Sequence, residues 1–355
     1  MAQKTNPGRF FEDFTLDEEI VHATPRTVTE GDQSLYTALY GTRFAVNSSA
    51  EFARGLGLGG APIDDLLVFH VVFGKTVPDV SLNAVANLGY AGGRFGVPVF
   101  AGDTLSTRST VIGLKPNGNG QTGVVWVRST GRNQRGEMVL DYVRWVMVKR
   151  RAPGTDVSAT HDCPPADLPR AVDAADLVVP TGLDARGFDF ALSGEPHAFE
   201  DYSPGERIDH VDGMTIEEAE HQIATRLYQN TAKVHFNQLE ANGNRFGRRL
   251  IYGGHIISLA RSLSFNGLAN IVRVAAINAG AHANPTFAGD TIHAWSEVIS
   301  ADALPGRTDL GALRLRLIAT KNRAAADFPL KDADGKYLAD VVLDLDYTVL
   351  VPRRG

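Results

Sequence analysis

Tyr228-Gln229-Asn230-Thr231-Ala232-Lys233-Val234-His235-Phe236-Asn237 echoes an earlier stretch of the same chain, Tyr40-Gly41-Thr42-Arg43-Phe44-Ala45-Val46-Asn47-Ser48-Ser49. The two decamers end longer segments, 12–47 and 200–235, that align without a gap at an offset of 188. Eleven of the 36 aligned pairs are identical, against about two for unrelated segments of ordinary composition. They include Glu12/Glu200, Asp13/Asp201, His22/His210 and Tyr40/Tyr228. A second echo follows at nearly the same offset, Phe100-Ala101-Gly102-Asp103-Thr104 returning as Phe287-Ala288-Gly289-Asp290-Thr291. Such self-similarity is the mark of a duplicated unit. The copies differ in one telling place: His235 of the second faces Asn47 of the first, and Asn230 faces Thr42.

Each half has the same predicted plan. In the first, 19–26 alternates like a strand, and Thr27 with Glu30 has the spacing of a capping box opening a helix that runs to Tyr40. Residues 64–73 are apolar nearly all round, as a buried helix requires, and Asp64-Asp65 suit its positive N-terminal end. Four strand-like runs follow at 84–95, 103–113, 122–130 and 138–148, parted by turns such as Asn117-Gly118-Asn119-Gly120. The second half repeats this with a strand at 208–214, a capping box at Thr215 and Glu218, a buried helix at 254–263 and strands at 271–283, 290–300, 312–320 and 337–351. Between them, 152–196 is rich in Pro, Asp and Ala and reads as a linker. The division is 1–151, 152–196 and 197–355. One helix wrapped by an antiparallel sheet, present twice, is an α+β double hotdog, whose two sheets join edge to edge and so cover an exposed strand.

Composition narrows the function. Charged residues are 21% and hydrophobic residues 43%, as in soluble globular proteins. A net charge of −6 argues against nucleic acid as a partner. No run of 18 apolar residues exists to span a membrane, and the first seven residues lack an apolar leader core, so a cytoplasmic location is expected. Cys163 has no second cysteine to pair with. No HExxH, paired CxxC, P-loop or dinucleotide glycine motif is present, so no cofactor is expected beyond a group carried by the substrate.

His235 titrates in the range that general acid–base chemistry uses. Asn230 has no proton to gain near neutrality, but it can hold a water or a carbonyl by hydrogen bonds. Gly253-Gly254 open the second buried helix, where free N–H groups favour a developing negative charge; Gly254 N–H is the candidate oxyanion donor. Lys233, Arg245 and Arg249 are candidates for an anionic substrate group, with Lys233 favoured because it lies inside the decamer. His22 and His210, kept in both copies, suit a structural role, and His255 is left undecided.

With Tyr-Gln-Asn-Thr-Ala-Lys-Val-His (228–235), Ile-Tyr-Gly-Gly-His (251–255) and the two Phe-Ala-Gly-Asp-Thr repeats, the chain resembles the MaoC-like double-hotdog enoyl-CoA hydratases over nearly its whole length. The hydratase motif of that family has Asp five residues before the histidine, where this chain has Asn230. The resemblance implies a hydro-lyase acting on a branched C5 dicarboxylic acyl-CoA, with chemistry in the second half and the first accommodating the acyl-CoA. It also implies a homodimer. Tyr252 and Gly253 are further candidates for substrate contact, and Arg43 and Arg94 are the candidates for the CoA phosphates. Replacing Asp by Asn is expected where the substrate brings its own carboxylate, since like charges about 4 Å apart repel by roughly 4 kcal/mol at an effective dielectric of 20. A hotdog thioesterase and a non-catalytic acyl-CoA binding module remain open beside this reading.

Overall fold

The structure, a computed structural model, describes residues 4–354. Ten strands form one sheet: β1 (Glu19–Thr27), β2 (Ala84–Phe95), β3 (Thr104–Pro116), β4 (Thr122–Arg132), β5 (Met138–Lys149), β6 (Arg207–Thr215), β7 (Arg273–Ala281), β8 (Thr291–Ala303), β9 (Leu310–Lys321) and β10 (Val341–Pro352). Their order is β1-β3-β4-β5-β2-β7-β10-β9-β8-β6, so the second half is the first reversed about the central β2–β7 pair. That pair is antiparallel, with Tyr90 opposite Gly280 and Arg94 opposite Ala276. Fusing the two sheets there saturates what would otherwise be two open edges.

Four helices matter for the site: α1 (Glu30–Tyr40), α2 (Asp65–Thr76), α3 (Glu218–Leu227) and α4 (Gly253–Leu263). The curled sheet wraps α2 and α4, and one apolar core runs through both halves, from Leu67 and Val71 on α2 to Ile257 and Ala260 on α4. This is the double hotdog expected from the sequence.

The duplication has a visible pseudo-twofold axis. Residues 188 apart touch across it: Tyr40 Oη lies 2.6 Å from Tyr228 Oη, and His70 Nε2 lies 2.8 Å from Ser258 Oγ. The symmetry extends to ion pairs across strands, with Arg128–Asp141 joining β4 to β5 and Arg316–Asp344 joining β9 to β10.

Two expectations need correction. Thr27 and Thr215 do not cap helices. Each ends a strand and spends its hydroxyl across it, on Thr104 and Thr291, both at 2.8 Å. The cap of α1 is Thr29, whose Oγ1 accepts from Asp32 N at 3.2 Å while Asp32 accepts from Thr29 N at 2.8 Å; the α3 cap, Glu217, makes no side-chain capping bond. The carboxylates at α2 divide their work. Asp64 caps Leu66 N at 2.9 Å, whereas Asp65 reaches β7 and pairs with Arg273 at 2.8 Å.

Candidate active site

The Tyr228–Asn237 stretch follows α3 as a tight knot. Gln229 takes a left-handed φ of 55°, matching Gly41 at 61° in the first copy. That conformation ends the helix and turns the chain back. Gln229 is held by Lys75 Nζ. The Tyr228 carbonyl rests on Gly74 of α2, where a Cβ would lie 1.8 Å from the oxygen. Buried Asn230 follows, and its Oδ1 accepts from Ala232 N at 3.2 Å. This fixes the amide orientation and leaves the NH2 as the group Asn230 can offer elsewhere.

His235 sits on the one-turn helix Lys233–Phe236. Its Nδ1 donates to Leu250 O at 2.9 Å. A carbonyl can only accept, so Nδ1 carries the proton and Nε2 of the neutral ring is an open lone pair. The first copy reproduces half of this: Asn47 Nδ2 donates to Pro62 O at 3.1 Å, and Pro62 lies 188 residues before Leu250. Asparagine keeps the loop's hydrogen bond and loses the basic nitrogen. Desolvation by the packed surroundings pushes the His235 pKa down to about 4, against a smaller upward pull from the Leu250 carbonyl. The ring is therefore neutral at pH 7.

Asn230 and His235 line a cavity of about 650 Å³ between the halves, together with Tyr252, Gly253 and Arg245. Its far wall comes from the first half: Phe73 from α2, Asn87 and Tyr90 from β2, and Arg144 from β5. His282 completes it, with Nε2 3.2 Å from Tyr90 Oη. Tyr252 lies between the walls, its ring centroid 5.6 Å from that of His235 and 5.6 Å from that of Phe73.

The helix that ends at this cavity is capped differently from its twin. On α4 the cap residue is Tyr252, which makes no side-chain capping bond. The backbone N–H of Tyr252 itself donates to buried His221 Nε2 at 2.9 Å. In the first half, the N–H matching Gly254 is that of Leu66, and Asp64 occupies it. Gly253 lines the cavity. Gly254, one residue on, lies against Tyr252 and His70, and a Cβ there would meet Tyr252 Cε1 at 2.4 Å.

The other expected residues scatter. Lys233 is exposed and outside the lining. Arg249 pairs with Glu218 at 2.6 Å and is also bonded to Gln222. Arg245 lies at the wall with its guanidinium 4.4 Å over the Phe246 ring. Arg94 is not in the lining and reaches Asp176 O at 3.4 Å; Arg43 stacks 4.4 Å over Phe265. His22 and His210 are tied into the sheet by Ser109 and Ser296, each at 2.8 Å. His255 is buried and 2.7 Å from Tyr40 Oη. Sequence reasoning passed over Tyr90, Arg144, His221 and His282. For Arg144 a signal existed, since it falls in phase with Leu140, Tyr142, Val146 and Val148, the inward residues of β5.

At the mirror-related place an apolar cluster forms. Leu177, Leu183, Ala185 and Phe188 from the segment between the halves pack with Val46, Leu56, Leu58, Val272 and Ala275. Val46 and Leu58 are 188 residues from the cavity-lining Val234 and Phe246.

Comparison with known proteins agrees with this architecture. A family model described as mesaconyl-CoA hydratase matches residues 1–329. The chain is 63% identical over 355 residues to a β-methylmalyl-CoA dehydratase of Chloroflexus aurantiacus, covering all of both chains. It is 61% identical over 353 residues to a mesaconyl-CoA hydratase of Cereibacter sphaeroides, covering 99% of this chain and all of that one. Among solved structures, a MaoC domain protein dehydratase from Chloroflexus aurantiacus superposes with a TM-score of 0.96 at 63% identity over the full length of both. A Mycobacterium tuberculosis protein with a double hotdog fold gives 0.74 at 25% identity, over 97% of this chain and 98% of that one.

Proposed function

Because the chain belongs to the mesaconyl-CoA hydratase family, we propose that it interconverts mesaconyl-CoA (2-methylfumaryl-CoA) and β-methylmalyl-CoA by adding water to, or removing it from, an enoyl thioester. His235 Nε2 takes a proton from water as the oxygen bonds the carbon β to the thioester. The alkene's electron pair moves onto the thioester oxygen, which Gly254 N–H receives. The α-carbon then takes that proton back from the His235 imidazolium as the enolate collapses, which restores the neutral ring. In dehydration the neutral ring first takes the α-proton and then gives it to the leaving hydroxyl, which a conjugate acid with a pKa of about 4 does readily. The Asn230 NH2 orients the water or the thioester. Tyr252 and Gly253 border the acyl group, and exposed Arg245 meets the CoA phosphates at the mouth. The observation that carries the reading is the basic nitrogen present at the cavity wall in His235 and absent at Asn47, with the N–H of Gly254, next to the wall residue Gly253, free of the side-chain cap that Leu66 has.

No helix among the described residues is long and apolar enough to cross a membrane. A homodimer in the cytoplasm, with the substrate as its small-molecule partner, fits the family resemblance. Offering mesaconyl-CoA and crotonyl-CoA while following enoyl absorbance and free thiol tests the activity. Absorbance loss on mesaconyl-CoA without thiol release is expected. Thiol release would indicate a thioesterase, and no change with either ester would indicate a binding module; each contradicts the reading.

A further inference from the structure

Arg144 is fully buried in the centre of β5, at 0% exposure. Its Nη2 donates to Thr76 Oγ1 at 2.8 Å and to Ser81 Oγ at 3.3 Å. The guanidinium lies 4.4 Å over the Phe73 ring. Nε and Nη1 are buried and reach no acceptor at hydrogen-bond distance. Hydroxyl partners and a ring face do not neutralise a charge, and a buried cation left unpaired costs several kcal/mol. The chain's other buried arginines are better matched. Arg273 has Asp65 at 2.8 Å and Arg150 has Glu12 at 3.4 Å, while Arg261 has Asp64 and Asp65 near enough to bias its titration. Among the described residues no carboxylate forms an ion pair with Arg144.

The surroundings say where the missing anion belongs. Arg144 lines the same cavity as His235. Asn87 lines it too, and both its side-chain nitrogen and oxygen are buried without a partner. Asn87 lies on β2 opposite Val146, two residues on from Arg144, and Tyr90 is opposite Arg144 itself. The mirror positions carry no such pair: by strand register Asn87, opposite Val146, corresponds to Val274, opposite Val349, a buried residue of the apolar core. The Asp141/Asp344 correspondence puts Tyr347 where Arg144 would be. The cation and the orphan amide thus occur together in the cavity that His235 lines.

The geometry points to Arg144, with Asn87 beside it, as the receptor for the free carboxylate of a dicarboxylic acyl-CoA, and so as the specificity determinant that separates such esters from monocarboxylic enoyl-CoAs. This rests on the hydratase reading and deepens it. Nη1 offers a charge-assisted hydrogen bond to one carboxylate oxygen, and the unpartnered Asn87 amide beside it can donate to the other. A carboxylate held there orients the alkene that carries it, with the β-carbon turned toward His235. It also replaces Lys233 and Arg249 as candidates, because the first is exposed and the second already has Glu218.

The test compares wild type with Arg144→Met and Arg144→Lys on mesaconyl-CoA and crotonyl-CoA. The ratio of kcat/KM for the dicarboxylic over the monocarboxylic ester should fall by about 100-fold in Arg144→Met, the usual scale for breaking a buried charge pair at an interface. Arg144→Lys should recover part of it. A second readout does not depend on turnover: succinyl-CoA should raise the melting temperature of wild type more than butyryl-CoA does, and Arg144→Met should lose that difference. An unchanged ratio, or equal loss on both esters with the thermal difference intact, would overturn the assignment. Failure of wild type to hydrate mesaconyl-CoA at all would sink the hydratase reading instead, so the two failures are distinct.

Discussion

At the residue scale, the site is built by small departures from a repeated template. His235 and Asn47 make the same hydrogen bond to equivalent carbonyls, so the histidine's second nitrogen is what the second copy adds. Asn230 stands where the resemblance to MaoC-like hydratases leads one to expect Asp, and under the proposed function an Asp there would share the cavity with the substrate's carboxylate. Asn230→Asp should therefore lower kcat/KM on mesaconyl-CoA more than on crotonyl-CoA, by roughly 10-fold or more given a like-charge penalty of a few kcal/mol. Steady-state kinetics on the two esters check this, and equal losses would remove the explanation. His235 and Asn230 were legible because the repeat supplied its own control. Arg144 was not, because burial without a counter-ion is a property of the folded molecule, and one arginine in a strand reads as a solvated charge until the strand's facing is known.

At the scale of elements, helix ends decide what each half can do. Both buried helices start at matching positions, yet Asp64 consumes the N–H on α2 that the α4 start leaves free beside its uncapped Tyr252. The knot that carries Asn230 is pinned by close contact with α2 at Gly74. Gly74→Ala would put a methyl 1.8 Å from the Tyr228 carbonyl oxygen, and since backbone must move, the cost should be about 1–3 kcal/mol. Thermal unfolding should show a lowered melting temperature, and turnover should fall with it because Asn230 is two residues from the displaced carbonyl. Wild-type values for both would mean the knot is not held there. Strand and helix positions were readable from periodicity to within a few residues. The caps were not, because Thr27 and Thr215 match a capping pattern in sequence but turn their hydroxyls to neighbouring strands that sequence does not display.

At the scale of the whole molecule, the two related halves present a polar cavity lined by His235 on one side and an apolar cluster on the other. The segment between the halves takes part in that: Leu177, Leu183, Ala185 and Phe188, read from sequence as part of a linker, pack over the first-half site. Enclosure has a titration consequence. Burial pushes His70 and His255 down to about 3, His210, His235 and His282 to about 4, and His221 to about 2. The unfolded chain protonates these rings near 6.5 while the folded one does not, so each contributes stability that is present above that pH and lost as pH falls toward the folded values. Each ring adds a slope of about 1.4 kcal/mol per pH unit. Asp64, raised to about 6 mainly by burial, opposes them over part of the window. Denaturant unfolding at pH 7 and pH 5 should show a large loss of stability at the lower pH; equal stability at both would mean the histidines are not buried neutral.

The most direct test of the central claim is the turnover of His235→Asn on mesaconyl-CoA, since this substitution installs the first copy's own residue. The asparagine retains a donor for the Leu250 carbonyl, as Asn47 does for Pro62, and removes the proton acceptor alone. The predicted result is a fall in kcat of about 10²–10⁴ with the melting temperature near that of wild type. A variant that hydrates mesaconyl-CoA within a few-fold of the wild-type rate would contradict the assignment of His235 as the group that moves the proton.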